Sequence, residues 1–269
     1  MTAMLFIVTG GEFGFRGYQV PVDLAELTGG GPETFEAIAD AHMASLQKYL
    51  QLCSHHRVLE LGCGIGRDAI PLTEQLTEGS YVGVDIVEPS IRWCSENISE
   101  RYPNFKFVHL DVADQLHNPG GSLPTSEFRL PVEDSSIDRV IAWSVLTHMW
   151  EADIRHYLRE FRRILRPDGL MFLTCFVFTE DVLASARATN LTPFNLRFDY
   201  EIYSGCRIND PRYPLGAIAF SEEMWREIVE SEGLEFHQPL LRGAWSGYFA
   251  EPDDGQDALV LRVPVKLLQ

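Results

Sequence analysis

Positive charge, paired cysteines and long apolar runs are all scarce in this sequence of 269 residues. Only 22 basic side chains stand against 39 acidic ones, a formal charge of −17 at pH 7. A polyanion is therefore repelled at long range, and nucleic acid is not expected as a partner. Arg155, Arg159, Arg162, Arg163 and Arg166 form one local basic series. Their spacing is better read as the solvated face of an amphipathic helix. The cysteines Cys53, Cys63, Cys94, Cys175 and Cys206 are odd in number and scattered, with no C-x-x-C pair. That argues against a disulfide framework and against a zinc site, and it suits a reducing, cytoplasmic compartment. No segment approaches the length needed to span a bilayer, so no membrane partner is expected. The apolar run Met4-Leu5-Phe6-Ile7-Val8 is too short for a signal-peptide core and lacks a cleavage-site pattern. Internal repeats and low-complexity tracts are also missing.

What is present alternates. The chain is 45% hydrophobic, enough for a sizeable core. After Gly29-Gly30-Gly31-Pro32, apolar residues recur at Phe35, Ile38, Met43, Leu46 and Leu50, the spacing of one helical face. This accessory helix belongs to an N-terminal lid over residues 1–52, ahead of a main domain over 53–269. Strands are expected at Arg57–Leu61, Tyr81–Asp85, Phe105–Leu110, Asp138–Trp143 and Leu170–Phe176, separated by helices at about 67–76, 89–102 and 151–166. Pro167-Asp168-Gly169 ends the last of these helices. Strands and helices alternating at this length require parallel pairing with right-handed crossovers, a doubly wound α/β sheet. The stretch Val112–Ser136 is rich in Pro, Gly and Ser and reads as a long loop. Between residues 177 and 220 the alternation lapses into an insertion, read as a substrate lid. A helix from Ser221 to Glu232 and two terminal strands, near 234–236 and 258–263, complete the chain.

The chemistry concentrates at the first strand end, where Glu60-Leu61-Gly62-Cys63-Gly64-Ile65-Gly66 opens a turn. Glycines at the carboxyl end of a strand in an open α/β sheet let backbone approach a ligand closely. The dinucleotide pattern G-x-G-x-x-G fails, because Arg67 stands where the third glycine belongs, and no Gly-Lys-Ser/Thr follows to make a phosphate loop. A cofactor without phosphate, its amino-acid end against the loop, fits better, and S-adenosylmethionine is that cofactor. Asp85 ends the second strand at about the twenty-residue spacing expected of a carboxylate that meets ribose hydroxyls. Asp111 ends the third, placed to accept from an adenine amino group while Val112 offers a backbone donor.

On these residues, with Phe161-Arg162-Arg163-Ile164-Leu165-Arg166-Pro167-Asp168-Gly169, the chain resembles the class I S-adenosylmethionine-dependent methyltransferases from about Arg57 to Val263. The resemblance implies a Rossmann-like sheet of seven strands with the last one antiparallel. It also implies cofactor roles for Glu60, Gly62, Gly64, Asp85 and Asp111, and S-adenosylhomocysteine as a product. Cys63, Gly66, Ile86, Val112, Trp143 and Ser144 complete the expected cofactor set. A second resemblance, through Ser144-Val145-Leu146-Thr147-His148-Met149 and the Gly243/Trp245/Gly247 loop, is to bacterial enzymes that methylate small metabolites or sugars.

Methyl transfer to an alcohol needs alignment and the removal of a proton. His148, just past the fourth strand, is the candidate general base; packing under the following helix, or only positioning the substrate, are the alternatives for it. No Asn-Pro-Pro-Tyr motif follows that strand, which disfavours adenine or glutamine N-methylation, and no metal is expected. Tyr203, Trp245 and Tyr248, with Phe194, Phe198 and Tyr200, are candidates for an aromatic wall around a small-molecule substrate. The rival readings are a small-molecule N-methyltransferase, a protein methyltransferase, a non-catalytic S-adenosylmethionine binder and a nicotinamide dehydrogenase. Symmetric homodimers are common at this chain length, although nothing in the residues specifies one.

Overall fold

A computed structural model describes residues 10–114 and 118–264, and the apolar run at residues 4–8 lies outside them. The chain enters through a hairpin, β1 (Glu12–Phe15) and β2 (Tyr18–Pro21), then a short helix α1 (Val22–Glu26) and the long helix α2 (Pro32–Leu50). Proline at the start of α2 costs no hydrogen bond, because the first helical N–H groups have no partner within the helix. Phe35, Ala39, Met43, Leu46 and Leu50 form its buried face.

There follow β3 (Arg57–Leu61), α3 (Ala69–Gln75), β4 (Ser80–Asp85), α4 (Glu88–Cys94) and β5 (Phe105–His109). Next come β6 (Ile137–Ala142), α5 (Glu151–Ile164) and β7 (Leu165–Cys175). The insertion contains β8 (Val177–Phe178), α6 (Glu180–Thr189), β9 (Tyr200–Tyr203), β10 (Cys206–Ile208) and β11 (Ile218–Ser221). The chain closes with α7 (Glu222–Ser231), β12 (Glu235–Phe236) and β13 (Asp257–Arg262).

Seven strands make the main sheet in the order β12-β13-β7-β6-β3-β4-β5. The five central strands from β7 to β5 make four parallel pairs, and β13 runs antiparallel to both β7 and β12. This is the doubly wound sheet with an antiparallel last strand that the sequence and its resemblance predict. Alternation along the strands splits the core between two faces. Leu59, Leu61, Val140, Met171 and Leu173 pack with α5 and α7 on one face. Val58, Ile141, Phe172 and Val260 pack with α2, α3 and α4 on the other.

Three local differences from the sequence reading have physical causes. β7 begins at Leu165, before the Pro-Asp-Gly turn, because Leu165 already pairs with Ile137; residues 166–169 loop out before Leu170 pairs with Arg139. The second crossover helix widens into a π-helical turn at Ser95–Ser99. The insertion has its own four-stranded sheet, β8-β11-β10-β9, over a separate core of Phe176, Phe178, Leu183, Phe198, Ala219 and Trp245. The arginines of α5 meet acids: Arg155 pairs with Glu151 at 2.8 Å, Arg159 with Glu232 at 3.1 Å and Arg163 with Glu160 at 2.6 Å. Among the described residues no helix is long and apolar enough to cross a membrane.

Candidate functional site

The turn after β3 is held by the neighbouring strand. The N–H groups of Gly62 and Cys63 both donate to the Val84 carbonyl, at 2.8 and 3.2 Å, and Gly66 donates to Cys63 at 3.0 Å. Gly62, Gly64 and Gly66 have φ of 75°, 51° and 79°, a region that side chains with a Cβ rarely enter. Space is as restrictive as conformation. A Cβ on Gly62 would lie 2.4 Å from Val145 Cγ2, and one on Gly64 would lie 2.6 Å from Thr28 Cγ2. The loop thus lies between the segment that follows β6 and the N-terminal segment around Thr28.

Asp85, at the end of β4, faces this loop and is buried. Its Oδ2 accepts from Gly64 N–H at 2.7 Å and its Oδ1 from Val87 N–H at 2.8 Å. Ile86 is half-buried, and its carbonyl lies 3.2 Å from His109 Nε2. At the end of β5, the Asp111 carboxylate accepts from Ser122 Oγ and from Asn118 Nδ2, bonds that hold it below the usual carboxylate range. Asn118 also donates to the Val112 carbonyl at 3.0 Å. Asp85 and Asp111 therefore stand at the carboxyl ends of adjacent strands.

Glu60 has a different setting. It shares a strand face with Val58 and points into the layer packed under α2 and α3, only 3% exposed. Tyr81 donates to its carboxylate from β4. Burial, then the charge of Asp68, push its acid well above the usual range. Cys63 is buried as well, and burial followed by Asp85 raises its thiol. Both residues sit behind the loop they were expected to line.

Trp143, the first residue after β6, stacks on His42 of α2, with ring centroids 3.6 Å apart and planes 3° from parallel. His42 Nδ1 lies 2.8 Å from Asp68 Oδ2, and Arg67 donates to the Thr28 carbonyl at 3.0 Å. The sequence offered little warning of His42, Asp68 and Thr28 as site residues; the one available signal was the position of Asp68 just after the last loop glycine. Trp143 Nε1 and Asp68 Oδ1 are buried beside the loop without a hydrogen-bond partner among the described residues. Buried polar atoms of this kind are what a polar ligand would satisfy.

Ser144 follows with φ of 55°, a strained conformation for a residue with a side chain. It is held by donation of its N–H to Thr174 Oγ1 at 2.7 Å and of its hydroxyl to Gln256 at 3.0 Å. Four residues on, His148 lies half-buried with Nδ1 2.8 Å from the carbonyl of Leu215, in the insertion. An N–H on Nδ1 is the only arrangement that lets a ring nitrogen bond a carbonyl, so neutral His148 carries its lone pair on Nε2.

An open groove of about 720 Å³ runs between the α5 and α7 N-termini and the β9–β10 hairpin. Five glutamates, Glu151, Glu180, Glu201, Glu223 and Glu227, line it with Arg155 and Arg207. Tyr203 borders an adjoining hollow and donates to Glu151 at 3.0 Å; burial raises its phenol. Trp245 lies elsewhere. It is buried in the insertion core, edge-on to Phe176 and Phe198, with its indole N–H donated to Asp257 at 2.7 Å. Tyr248 is half exposed, against Phe249. The structure thus does not gather the three aromatic candidates into one wall. Among the described residues no group of three potential metal ligands occurs.

Residues 58–169 match the methyltransferase-domain family model. The chain is 29% identical over 166 residues to methyltransferase GfsG of Streptomyces halstedii, covering 58% of this chain and 52% of that one. It is 26% identical over 156 residues to a probable S-adenosylmethionine-dependent methyltransferase of Mycolicibacterium smegmatis, covering 58% and 51%. The chain spans about half the length of these curated relatives. Among solved structures, the fold is similar to a Burkholderia thailandensis 1,6-didemethyltoxoflavin N1-methyltransferase, with a TM-score of 0.52 and 20% identity over 86% of this chain and 81% of that one.

Proposed function

We propose that the chain is a class I S-adenosylmethionine-dependent methyltransferase, a reading supported by the methyltransferase-domain match over residues 58–169 and by its relatives, and that it moves a methyl group from this cofactor to a hydroxyl of a small metabolite or sugar. The residues fit the cofactor. Three glycines at positive φ leave the loop backbone bare, and the two unpartnered polar atoms of Trp143 and Asp68 lie beside it. In this reading Gly62–Gly66 cradle the amino-acid end, Asp85 meets the ribose hydroxyls, and Asp111 with Val112 meets the adenine. Glu60 and Cys63 act indirectly, by filling the space behind the loop, while Trp143 and Ser144 close the reaction end. The bound cofactor supplies an electrophilic sulfonium methyl group.

The observation that carries the reading is the 2.8 Å contact from His148 Nδ1 to the Leu215 carbonyl. It leaves Nε2 as the basic atom of a neutral imidazole on the same segment whose Val145 abuts Gly62. Nε2 would take the hydroxyl proton as the acceptor oxygen displaces the thioether S-adenosylhomocysteine from the methyl carbon. Ser144 and the lid residues hold the loop around the reacting atoms and exclude water.

A second reading, methylation of an amine, draws on the five glutamates of the groove, which favour a cationic acceptor. The deciding experiment incubates the protein with methyl-labelled cofactor and a panel of polyhydroxylated and amine acceptors, and identifies the labelled bond in the product. His148→Ala is run beside it. For oxygen transfer, turnover falls by about 10²–10⁴ with cofactor binding retained. Unchanged turnover, or label on nitrogen alone, would reject this assignment.

A further inference from the structure

β10 and β11 form an antiparallel pair in which Ile208 faces Ile218. Such a register can be closed by two residues in a tight hairpin turn, yet the chain uses residues 209–217. The additional length is ordered. Asn209 N–H donates to the Ala217 carbonyl at 3.0 Å and closes the neck. The Asn209 side-chain oxygen accepts from the N–H groups of Arg197 and Phe198, at 2.7 and 3.2 Å. Asp210 accepts from the backbone and guanidinium of Arg212, at 2.9 and 2.6 Å. Gly216 N–H donates to Tyr213 at 2.8 Å, and Leu215 packs against the main core. This loop delivers one group to the far side of the site: the Leu215 carbonyl, 2.8 Å from His148 Nδ1.

We propose that the 209–217 loop is a positioning element whose docking favours the Nδ1–H tautomer of His148, the one in which Nε2 can act as the base. The proposal rests on the reading of His148 as the base, but its test does not require turnover. A carbonyl only accepts, so docking favours the Nδ1–H tautomer and places the lone pair on Nε2; withdrawal of the loop removes that acceptor. The insertion thereby couples its own closure to the chemistry, rather than only covering the substrate.

The experiment is nitrogen-15 spectroscopy of the 269-residue protein, labelled in histidine nitrogen and leucine carbonyl carbon and bound to S-adenosylhomocysteine, at an alkaline pH. Wild-type protein is expected to show Nδ1 protonated and Nε2 unprotonated, with a through-bond coupling from Nδ1–H to the Leu215 carbonyl carbon. Replacing residues 209–217 with Asn-Gly should abolish that coupling and weaken the single-tautomer signature, in a protein that still unfolds cooperatively and still binds S-adenosylhomocysteine. Leu215→Ala, which keeps the carbonyl, should leave both in place. An Nε2–H tautomer in wild-type protein, or a folded loop replacement that keeps Nδ1–H, would overturn the proposal. Should the replacement not fold, Asn209→Ala, which keeps the backbone bond at the neck but removes the side-chain acceptor that ties the loop to the Arg197 and Phe198 N–H groups, takes its place with the same expected loss. Loss of turnover in His148→Ala with the tautomer unmoved by the loop would sink this inference and leave the base assignment standing. Full turnover in His148→Ala would remove the base assignment and, with it, the catalytic consequence drawn here, whatever the tautomer.

Discussion

Gly62→Ala isolates what the glycine loop requires. Two separable penalties meet at this residue. The φ of 75° costs an L residue roughly 1–2 kcal/mol, and a Cβ placed 2.4 Å from Val145 Cγ2 adds overpacking of roughly 1–3 kcal/mol. Together they should destabilise the fold by about 2–5 kcal/mol, a fall in melting temperature of about 4–20 °C at 2–4 °C per kcal/mol for a domain of this size. The clash is with a side chain, so Val145→Ala in the same protein should remove it and leave the backbone strain. A double-mutant cycle should therefore show favourable coupling of about 1–2 kcal/mol, read by denaturant unfolding. Affinity for S-adenosylhomocysteine, measured by calorimetry, should fall in Gly62→Ala and recover only in part in the double variant. Independent, additive effects of the two substitutions would show that the loop does not lie against Val145, and the reasoning would fail.

Two further predictions concern groups that hold the site in place. Asp257 accepts from Gly243 N–H, Val177 N–H and Trp245 Nε1, and burial raises its acid to about 6. A carboxyl whose folded pKa exceeds its unfolded value holds its proton more tightly when folded. Its contribution is therefore fully present below about pH 4 and is lost as pH rises through about 6, a change of about 3 kcal/mol. Asp257→Asn should flatten that part of the stability profile between pH 4 and 7, and orphan one N–H donor at roughly 1–3 kcal/mol; an unaltered slope would place the titration elsewhere. Thr174→Val keeps the shape but removes the acceptor for Ser144 N–H. It should cost roughly 1–3 kcal/mol in urea unfolding and loosen the reaction end, and a change below a few tenths would mean that this bond does not hold the strained turn.

The sheet was legible because two signals reinforce each other: strand-length apolar runs ending in Asp85 and Asp111, and glycines at the one turn where backbone must enter αL. The arginine series of α5 was legible for the same reason, since its period leaves Ile154, Tyr157, Leu158 and Phe161 buried. Less visible was where single side chains point. Glu60 follows Leu59 in strict alternation, and that alternation turns it toward Tyr81 rather than toward the loop's ligand side. Trp245 looked like a wall residue because it lies in a glycine-rich loop. Its indole is instead drawn inward by Asp257, a partner twelve residues away that only the fold brings near. The hairpin Glu12–Pro21 was missed because four-residue strands carry too little periodicity. The Leu215 carbonyl could not be found at all, since a backbone acceptor has no signature in residue identity.

The most direct test of the account is calorimetric titration of the protein with S-adenosylmethionine, S-adenosylhomocysteine and NAD, with Asp85→Ala in parallel. Asp85 joins the ends of β4 and the glycine loop through Gly64 N–H at 2.7 Å, so its loss should both remove a ribose partner and slacken the loop. The account predicts micromolar binding of the first two ligands by the wild-type protein, no binding of NAD, and weakening of roughly tenfold or more in the variant. Binding of NAD alone, or cofactor affinity unchanged in Asp85→Ala, would contradict it.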